Sequence, residues 1–244
     1  MKRVALGFFA GVRALFGGLG FVVTTPGTWP WAMVPVLVAT LLFGGATALA
    51  IWGGGELAAR LIDPTQVVWS WALKIVLWVV GVVIGLLVAL SLAQPISGFA
   101  LEAIARRQDR ALGGPAWPDQ PFVSSTLRSL RVTLTALAAT LPVLALLAVI
   151  TLVFPPAGVV TVPLKLIVTG LAAAYDLLDY PFSVRGVDVA GRIAFMKANF
   201  WAVLGFGLAA AVLLLVPGMA LFLLPFGVAG AARLVAEAER RPAA

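Results

Sequence analysis

The sequence predicts an all-α integral membrane protein with two full transmembrane helices, two re-entrant, half-penetrating helical hairpins and an N-terminal interfacial helix. Composition predicts the membrane, because the 244 residues are 62% hydrophobic and 11% charged, more apolar surface than one water-soluble core can hide. The lengths of the apolar runs, and the prolines inside two of them, predict which runs cross the bilayer. We predict a single membrane domain over residues 1–244.

The residue types that are missing narrow the chemistry. The sequence has no cysteine and no histidine, which excludes disulfides, thiol nucleophiles and imidazole acid–base catalysis. We therefore predict no catalytic residue, no metal site, no cofactor and no enzymatic activity. The net charge of +7 comes from Lys and Arg residues scattered between apolar runs. This pattern is typical of a membrane-topology signal and argues against nucleic acid as a partner.

The first predicted element is an interfacial helix with its following loop, over residues 1–28. Apolar residues recur there at helical spacing, as in a helix that lies in the headgroup region. Arg13 interrupts the apolar core that a signal peptide would need, so we expect this segment in the mature protein. A frayed apolar leader is the alternative.

Two runs are predicted to span the bilayer, residues 29–53 and 70–94. The hydrocarbon core needs about 20 helical residues, and both runs supply them. Tryptophans stand at their ends, as interfacial anchors do: Trp29, Trp31 and Trp52 for the first, Trp69 and Trp71 for the second. Gly81 and Gly85 lie on one face of the second helix and permit close approach of another helix, either within the chain or across a dimer.

The most polar stretch, residues 102–131, is predicted to be a cytoplasmic segment. Its first part indicates a helix that leaves the membrane. Gly113 and Gly114 then predict a loop, and Ser124 or Ser125 the start of the next helix.

Residues 132–179 and 198–232 are predicted to form the two re-entrant hairpins, followed by a tail over residues 233–244. Prolines break each run with the same spacing, at Pro155 and Pro163 in the first and at Pro217 and Pro225 in the second. Each run therefore becomes a descending helix, an apolar turn and an ascending helix. A turn made of Val, Met, Leu and Phe fits membrane depth better than water. Six full crossings are the alternative.

The distribution of basic residues orients the chain. All Lys and Arg residues other than Arg60, Lys74 and Lys165 fall in the N-terminal stretch, the segment 102–131, residues 176–197 or the tail. Because cytoplasmic segments carry the basic excess, we predict that both termini are cytoplasmic.

Three charged residues are candidates for function. Lys165 follows Pro163 near a hairpin turn, where it either lines an anion pathway or extends its ammonium group to the far interface. Asp176 and Asp179 share one helix face and suggest either a metal or acid–base site, or a salt-bridged helix end with Arg185 and Arg192. The absence of histidine favours the salt bridge.

Several motifs together resemble the CysZ-like sulfate transporter family, which includes the etoposide-induced protein homologues. The resemblance extends from about Phe8 to Glu237. It is carried by "GFFAGVRALFGGLGFVVTTPGTWPWAMVPVLV", "AQPISGFALEAI", "YDLLDYPFSVRG", "LGFG" and "LPFGVAGAARLVAE". It implies an all-helical protein of the bacterial inner membrane with two full spans and two half-penetrating hairpins. It also implies a homo-oligomer that permeates sulfate.

The resemblance also implies an anion-binding site at Gly27 and Thr28. In the family, Pro-Gly, a further residue and two arginines precede the first span, and Pro26, Gly27 and Thr28 match the beginning of that motif. Trp29 and Pro30 stand where the family has arginines. A helix start can still hold an anion through its free backbone N–H groups. A capped helix start without an anion is the alternative.

These features predict an inner-membrane permease or channel for a small oxyanion, sulfate above all, that works without nucleotide hydrolysis. The expected partners are the lipid bilayer, further copies of the chain and a small inorganic anion. The alternative is a structural or interaction protein whose half-inserted hairpins assemble partners and transport nothing. An intramembrane enzyme ranks last, because the apolar runs contain no nucleophile–base pair.

Overall fold

The computed structural model describes residues 6–63, 65–117, 122–216 and 218–240, with some side chains in the range 122–133 left undescribed. Within these ranges the regular structure is helical. The helices are α1 (Phe8–Thr24), α2 (Trp29–Leu61), α3 (Val67–Ile96), α4 (Gly98–Ala111), α5 (Phe122–Val153), α6 (Gly158–Val184), α7 (Val189–Ala198), α8 (Phe200–Leu214) and α9 (Met219–Glu239). Short 3₁₀ turns cover Pro26–Thr28 and Pro155–Ala157.

The chain divides into two compact units, Val34–Ser97 and the remainder, Met1–Met33 with Gly98–Ala244. The smaller unit pairs α2 with α3 through small residues. A Cβ atom added at Gly81 would lie 2.5 Å from the Cβ of Ala50, and one at Gly85 would lie 2.7 Å from that of Ala46. The two glycines therefore make a helix contact within the chain, which confirms one of the two sequence-based alternatives.

The connection between α2 and α3 is closed by Asp63. Its carboxylate accepts hydrogen bonds from the backbone N–H and the hydroxyl of Thr65, at 2.9 and 2.7 Å. These two hydrogen bonds hold the pKa of Asp63 below its ordinary value. Asp63 is exposed, so the turn between α2 and α3 carries a charged side chain at its surface.

In the larger unit, α1 packs against α8 and α9 with almost no side chain between the backbones. A Cβ at Gly11 would lie 1.8 Å from the carbonyl oxygen of Ala202, and one at Gly18 would lie 2.2 Å from the backbone nitrogen of Gly230. No other residue type fits at such distances. The N-terminal helix is therefore part of the core, and the alternative of a frayed leader is wrong.

Helix α6 packs against α8 in the same manner, and α4 packs against α6 and α9. A Cβ at Gly207 would lie 2.2 Å from the carbonyl oxygen of Gly170. Much of α4 is buried, although it belongs to the most polar stretch of the sequence. The largest side chains at the centre of this core include Tyr180, Phe206, Leu15, Leu101, Ile104 and Leu234.

Five helices of the described chain are long and apolar enough to cross a membrane: Pro26–Leu61, Val67–Ile96, Leu134–Val153, Pro155–Val184 and Met219–Glu239. Helices α7 and α8 meet at a bend of 93° at Asn199. The α5–α6 break begins at the first proline of its pair, Pro155, as the sequence predicts. Pro163 and Pro225 lie inside α6 and α9, so the turns are shorter than the proline spacing suggests; Pro217 lies outside the described residues.

We predict that Gly18→Ala lowers the free energy of unfolding by about 1–3 kcal/mol, because the added methyl group must push the α9 backbone away. Gly20→Ala is the matched control on the same helix, since a Cβ there meets nothing within 4 Å. The control should be neutral or slightly stabilising, because alanine favours helix over glycine. Thermal unfolding in mild detergent measures both variants. Equal melting temperatures would contradict the close contact of α1 with α9.

Candidate functional site

The predicted anion site at Gly27 and Thr28 lies in the 3₁₀ turn that joins α1 to α2. Thr28 is fully buried, and its hydroxyl lies 2.7 Å from the carbonyl oxygen of Thr25 and 3.2 Å from that of Val22. The indole Nε1 of Trp29 donates to the same Val22 carbonyl at 3.0 Å. Thr28 and Trp29 thus satisfy a carbonyl in the last turn of α1, where helix carbonyls lack an intrahelical partner.

Gly27 is the residue of this turn that a ligand can approach. Gly27 is exposed, and a Cβ there would meet nothing within 4 Å. The backbone N–H of Thr28 donates to Thr25 at 2.9 Å, and the single proton of the Thr28 hydroxyl is engaged by the carbonyls of Thr25 and Val22. What this turn can offer a ligand is therefore backbone near Gly27, not the Thr28 side chain.

Lys165 belongs to a polar cluster near the turn between α5 and α6, and it is the one charged residue in the run 132–175. Its Nζ donates to Thr151 Oγ1 at 2.9 Å, and Thr151 Oγ1 lies 2.6 Å from Thr161 Oγ1. Thr151 in turn donates to the carbonyl oxygen of Leu147 at 2.7 Å. Because a hydroxyl has one proton, Thr161 must donate to Thr151, which then accepts from both neighbours. We call Thr151, Thr161 and Lys165 the hairpin cluster.

The ammonium group of Lys165 keeps donor capacity. It carries three N–H donors, and the one acceptor recorded for it among the described residues is Thr151. Lys165 itself is half-buried, and Thr161 is buried. The described contacts do not join this cluster to the turn at Gly27 and Thr28, so the structure does not merge the predicted site residues into one pocket.

Of the salt-bridged helix end that the sequence favours, the structure shows the pair of Asp179 with Arg192, whereas Arg185 pairs with Asp109 and Glu239. Asp179 and Arg192 are both buried and pair directly, and Ser183 donates to Asp179 at 3.2 Å. Arg192 also donates to the carbonyl oxygen of Val187 at 3.0 Å, which fixes the loop before α7. Asp179 is thus bound by the Arg192 guanidinium and the Ser183 hydroxyl, and this arrangement stabilises the fold.

A second ionic contact was not predictable from the sequence. Arg185, at the end of α6, pairs with Asp109 of α4 and with Glu239 of α9, the latter at 3.0 Å. Trp117 donates its indole N–H to Asp109 and lies under the Arg185 guanidinium at 5.7 Å. These residues are far apart in sequence, so no local spacing indicated the contact. It ties three helices of the core together.

The chain is a multi-pass helical membrane protein. Its class is defined by the long apolar helices, by the hairpin with its lysine–threonine cluster and by the ion pairs between helices. Within that class the chain belongs to the family described as Sulfate transporter CysZ/Etoposide-induced protein 2.4, whose model matches residues 14–225. This confirms the resemblance seen in the sequence motifs. The match suggests a membrane transport function of the sulfate-transporter type.

No curated protein matches the chain.

We predict that Thr28→Val lowers the free energy of unfolding by about 1–3 kcal/mol, because two carbonyl groups lose a buried hydroxyl partner. Thr24→Val is the matched control, since the Thr24 hydroxyl bonds the Gly20 carbonyl at 2.8 Å in an exposed position. Water replaces that partner, so the control should lose little. Chemical denaturation followed by tryptophan fluorescence measures both. A Thr28→Val protein as stable as the control would mean that the hydroxyl does not hold the end of α1.

Proposed function

We propose that this protein is a permease or channel of the bacterial inner membrane for a small oxyanion, specifically sulfate, and that it works without nucleotide hydrolysis. Family membership supports transport of the sulfate type. The hairpin cluster is the observation that carries the proposal, because it places a lysine ammonium with spare donors among apolar residues. A charge at membrane depth is costly unless it pairs, reaches the interface or faces a wet path.

The chemistry of the hairpin cluster suits an oxyanion. The acceptor for the Lys165 ammonium among the described residues is a neutral hydroxyl, so no carboxylate there offsets its positive charge. Thr151 accepts a hydrogen bond from the lysine, and Thr161 donates to Thr151, so both partners in the cluster are uncharged. A passing sulfate would accept from the remaining Nζ donors, and charge-assisted hydrogen bonds of this kind are stronger than neutral ones. Lys165 is therefore our proposed pathway-lining residue.

We further propose that Gly27 contributes to anion binding through its backbone N–H, and that Thr28, whose own N–H and hydroxyl are engaged within the turn, holds Gly27 in position. Gly27 is the exposed position there, and no side chain blocks approach to it. Helix starts favour anions through free N–H groups and the helix dipole. Because Trp29 and Pro30 add no charge, this site would be weaker than one with basic partners.

We propose that α2 and α3 are full spans and that α5–α6 and α8–α9 are half-penetrating hairpins, although Leu134–Val153, Pro155–Val184 and Met219–Glu239 are by length and composition also able to cross a membrane. Helix α8 has 15 residues and measures about 22 Å, less than the hydrocarbon core of about 30 Å. At the tip of the first hairpin, Leu152, Val153 and Val159 are 82%, 78% and 83% exposed. Apolar side chains this exposed within the chain fit lipid or a second copy better than water.

We propose a homo-oligomer in the bilayer with both termini in the cytoplasm. Neighbouring copies would cover polar atoms that the hairpins carry to membrane depth. The basic bias of the termini and of residues 102–131 supports the orientation. The uncharged Trp29 and Pro30 favour the alternative, a structural or interaction protein that anchors partners through its hairpins and transports nothing.

The hairpin arrangement predicts which positions of the chain a water-soluble reagent can label. The chain contains no native cysteine, so single cysteines can be placed at Gly158, Met219 and Asp63. We expect those at Gly158 and Met219 to resist a membrane-impermeant maleimide added from outside, because the tips lie in lipid. The cysteine at Asp63, in the exposed α2–α3 connection, should react. Labelling of all three at similar rates would place both tips at the aqueous face and favour six crossings.

Uptake of labelled sulfate into proteoliposomes that contain only this protein tests the permease. We expect uptake by the parent and a loss of roughly tenfold or more for Lys165→Gln, since one charge-assisted contact is removed. Lys74→Gln is the matched control: it removes a lysine from α3 that lies over Trp71 at 5.3 Å and has no assigned role. No uptake by the folded parent would refute the permease and leave the structural alternative.

A further inference from the structure

A small cavity with an arginine-rich wall lies beside the start of α2. Its volume is about 240 Å³, and it is lined by Trp31 together with Ala103, Arg106, Arg107 and Arg110 of α4. All of these residues belong to the larger compact unit. A water molecule takes up about 30 Å³ of the liquid, so the cavity has room for a tetrahedral oxyanion. We refer to it as the α4 arginine cavity.

The positive charge of the α4 arginine cavity is only partly balanced. Arg106 pairs with Glu102 on the preceding turn of α4, at 3.7 Å, and both side chains are buried. Among the described residues, no carboxylate lies within salt-bridge distance of Arg107 or Arg110. The other acidic residue of α4, Asp109, is engaged by Arg185 and Trp117. Two guanidinium groups thus line the cavity without an anionic partner in the described chain.

Arg107 is held in a defined position. Its guanidinium lies over the ring of Trp31, 5.0 Å from the centroid, and its Nη1 donates to the carbonyl oxygen of Ala103 at 3.4 Å. Trp31 is itself packed edge-on against Phe99, with 6.3 Å between ring centroids. A guanidinium stacked by its face keeps its N–H donors in the plane of the group, where they suit the oxygens of sulfate or phosphate. Arg107 is therefore partly preorganised for an oxyanion.

We propose that the α4 arginine cavity binds a tetrahedral oxyanion through Arg107 and Arg110, with Trp31 positioning Arg107. Trp29 and Pro30 bring no charge to the first turn of α2. The arginines of the cavity place positive charge beside the next residue, Trp31. The same chemistry is presented by free sulfate or phosphate and by the phosphate of an anionic lipid headgroup. The inference rests on the proposed function only in its choice of sulfate as the first ligand.

Binding of sodium sulfate and sodium phosphate to purified protein in neutral detergent, at constant ionic strength, tests the free-anion source. Arg107→Gln/Arg110→Gln should weaken binding by isothermal titration calorimetry tenfold or more. Arg13→Gln/Arg60→Gln is the control with the same change in net charge, made at exposed arginines outside the cavity, and should stay within twofold of the parent. Arg110→Gln alone removes an exposed side chain and should cost threefold or more, so a folding defect of the double variant does not end the test.

Native mass spectrometry after reconstitution with phosphatidylglycerol or phosphatidylcholine tests the headgroup source. The parent and the Arg13→Gln/Arg60→Gln control should retain phosphatidylglycerol, and the Arg107→Gln/Arg110→Gln variant should lose it if a lipid phosphate occupies the cavity. Loss of either free-anion or phosphatidylglycerol binding in this variant, but not in the control, supports the inference. Equal binding of all these ligands by variant and control, or no binding by the parent, overturns it.

Sulfate uptake by the parent separates this inference from the permease. Uptake by the parent together with unchanged anion and lipid binding in Arg107→Gln/Arg110→Gln leaves the permease intact and overturns the cavity. The absence of sulfate uptake by the parent, together with a loss of phosphatidylglycerol binding in Arg107→Gln/Arg110→Gln but not in the control, overturns the permease and supports the cavity.

Discussion

The core of this protein depends on helix backbones that touch. Helix α1 meets α8 and α9 where Gly11, Gly18 and Gly230 remove the side chains that would hold the helices apart. Inside a bilayer, apolar surface alone does not drive helices together, because lipid is as apolar as leucine. Close approach restores van der Waals contact that lipid chains cannot match. The same device recurs between α6 and α8, and it positions the helices that carry the ionic contacts.

The ionic contacts add what close packing lacks, a preference for particular partners. Arg185 joins α6 to α4 and α9 through Asp109 and Glu239, so a shifted pairing of these helices would leave charged groups without their partners. An unpaired buried charge is strongly destabilising, whereas the pair itself adds little net stability. The charged groups of α4 therefore serve two purposes. Asp109 fixes the core, while Arg107 and Arg110 remain available in the cavity beside Trp31.

The helical class, the membrane and the family were all predictable, because apolar run length and the motifs around Pro26, Tyr180 and Pro225 are local in sequence. The pairing of Asp179 with Arg192 was also within reach, since they stand near each other along the chain. The Asp109–Arg185 contact and the cavity of Trp31 with Arg107 join distant segments, and nothing local reports such contacts. At Thr28 the sequence motif suggested a ligand site. The structure instead places its hydroxyl within hydrogen-bond distance of the backbone carbonyls of Val22 and Thr25, which the motif does not indicate.

The contact of α1 with α8 and α9 also sets an order of events during biosynthesis. Among the helices of the described chain, α1 is made first, and α8 and α9 are made last. At about 5–20 residues per second, roughly 10–40 s pass before α9 is complete. Until then the glycine face of α1 lacks the α8 and α9 backbones that it contacts in the folded protein. A chain that stops before α8 therefore cannot form the close contacts at Gly11 and Gly18 on which this part of the core depends.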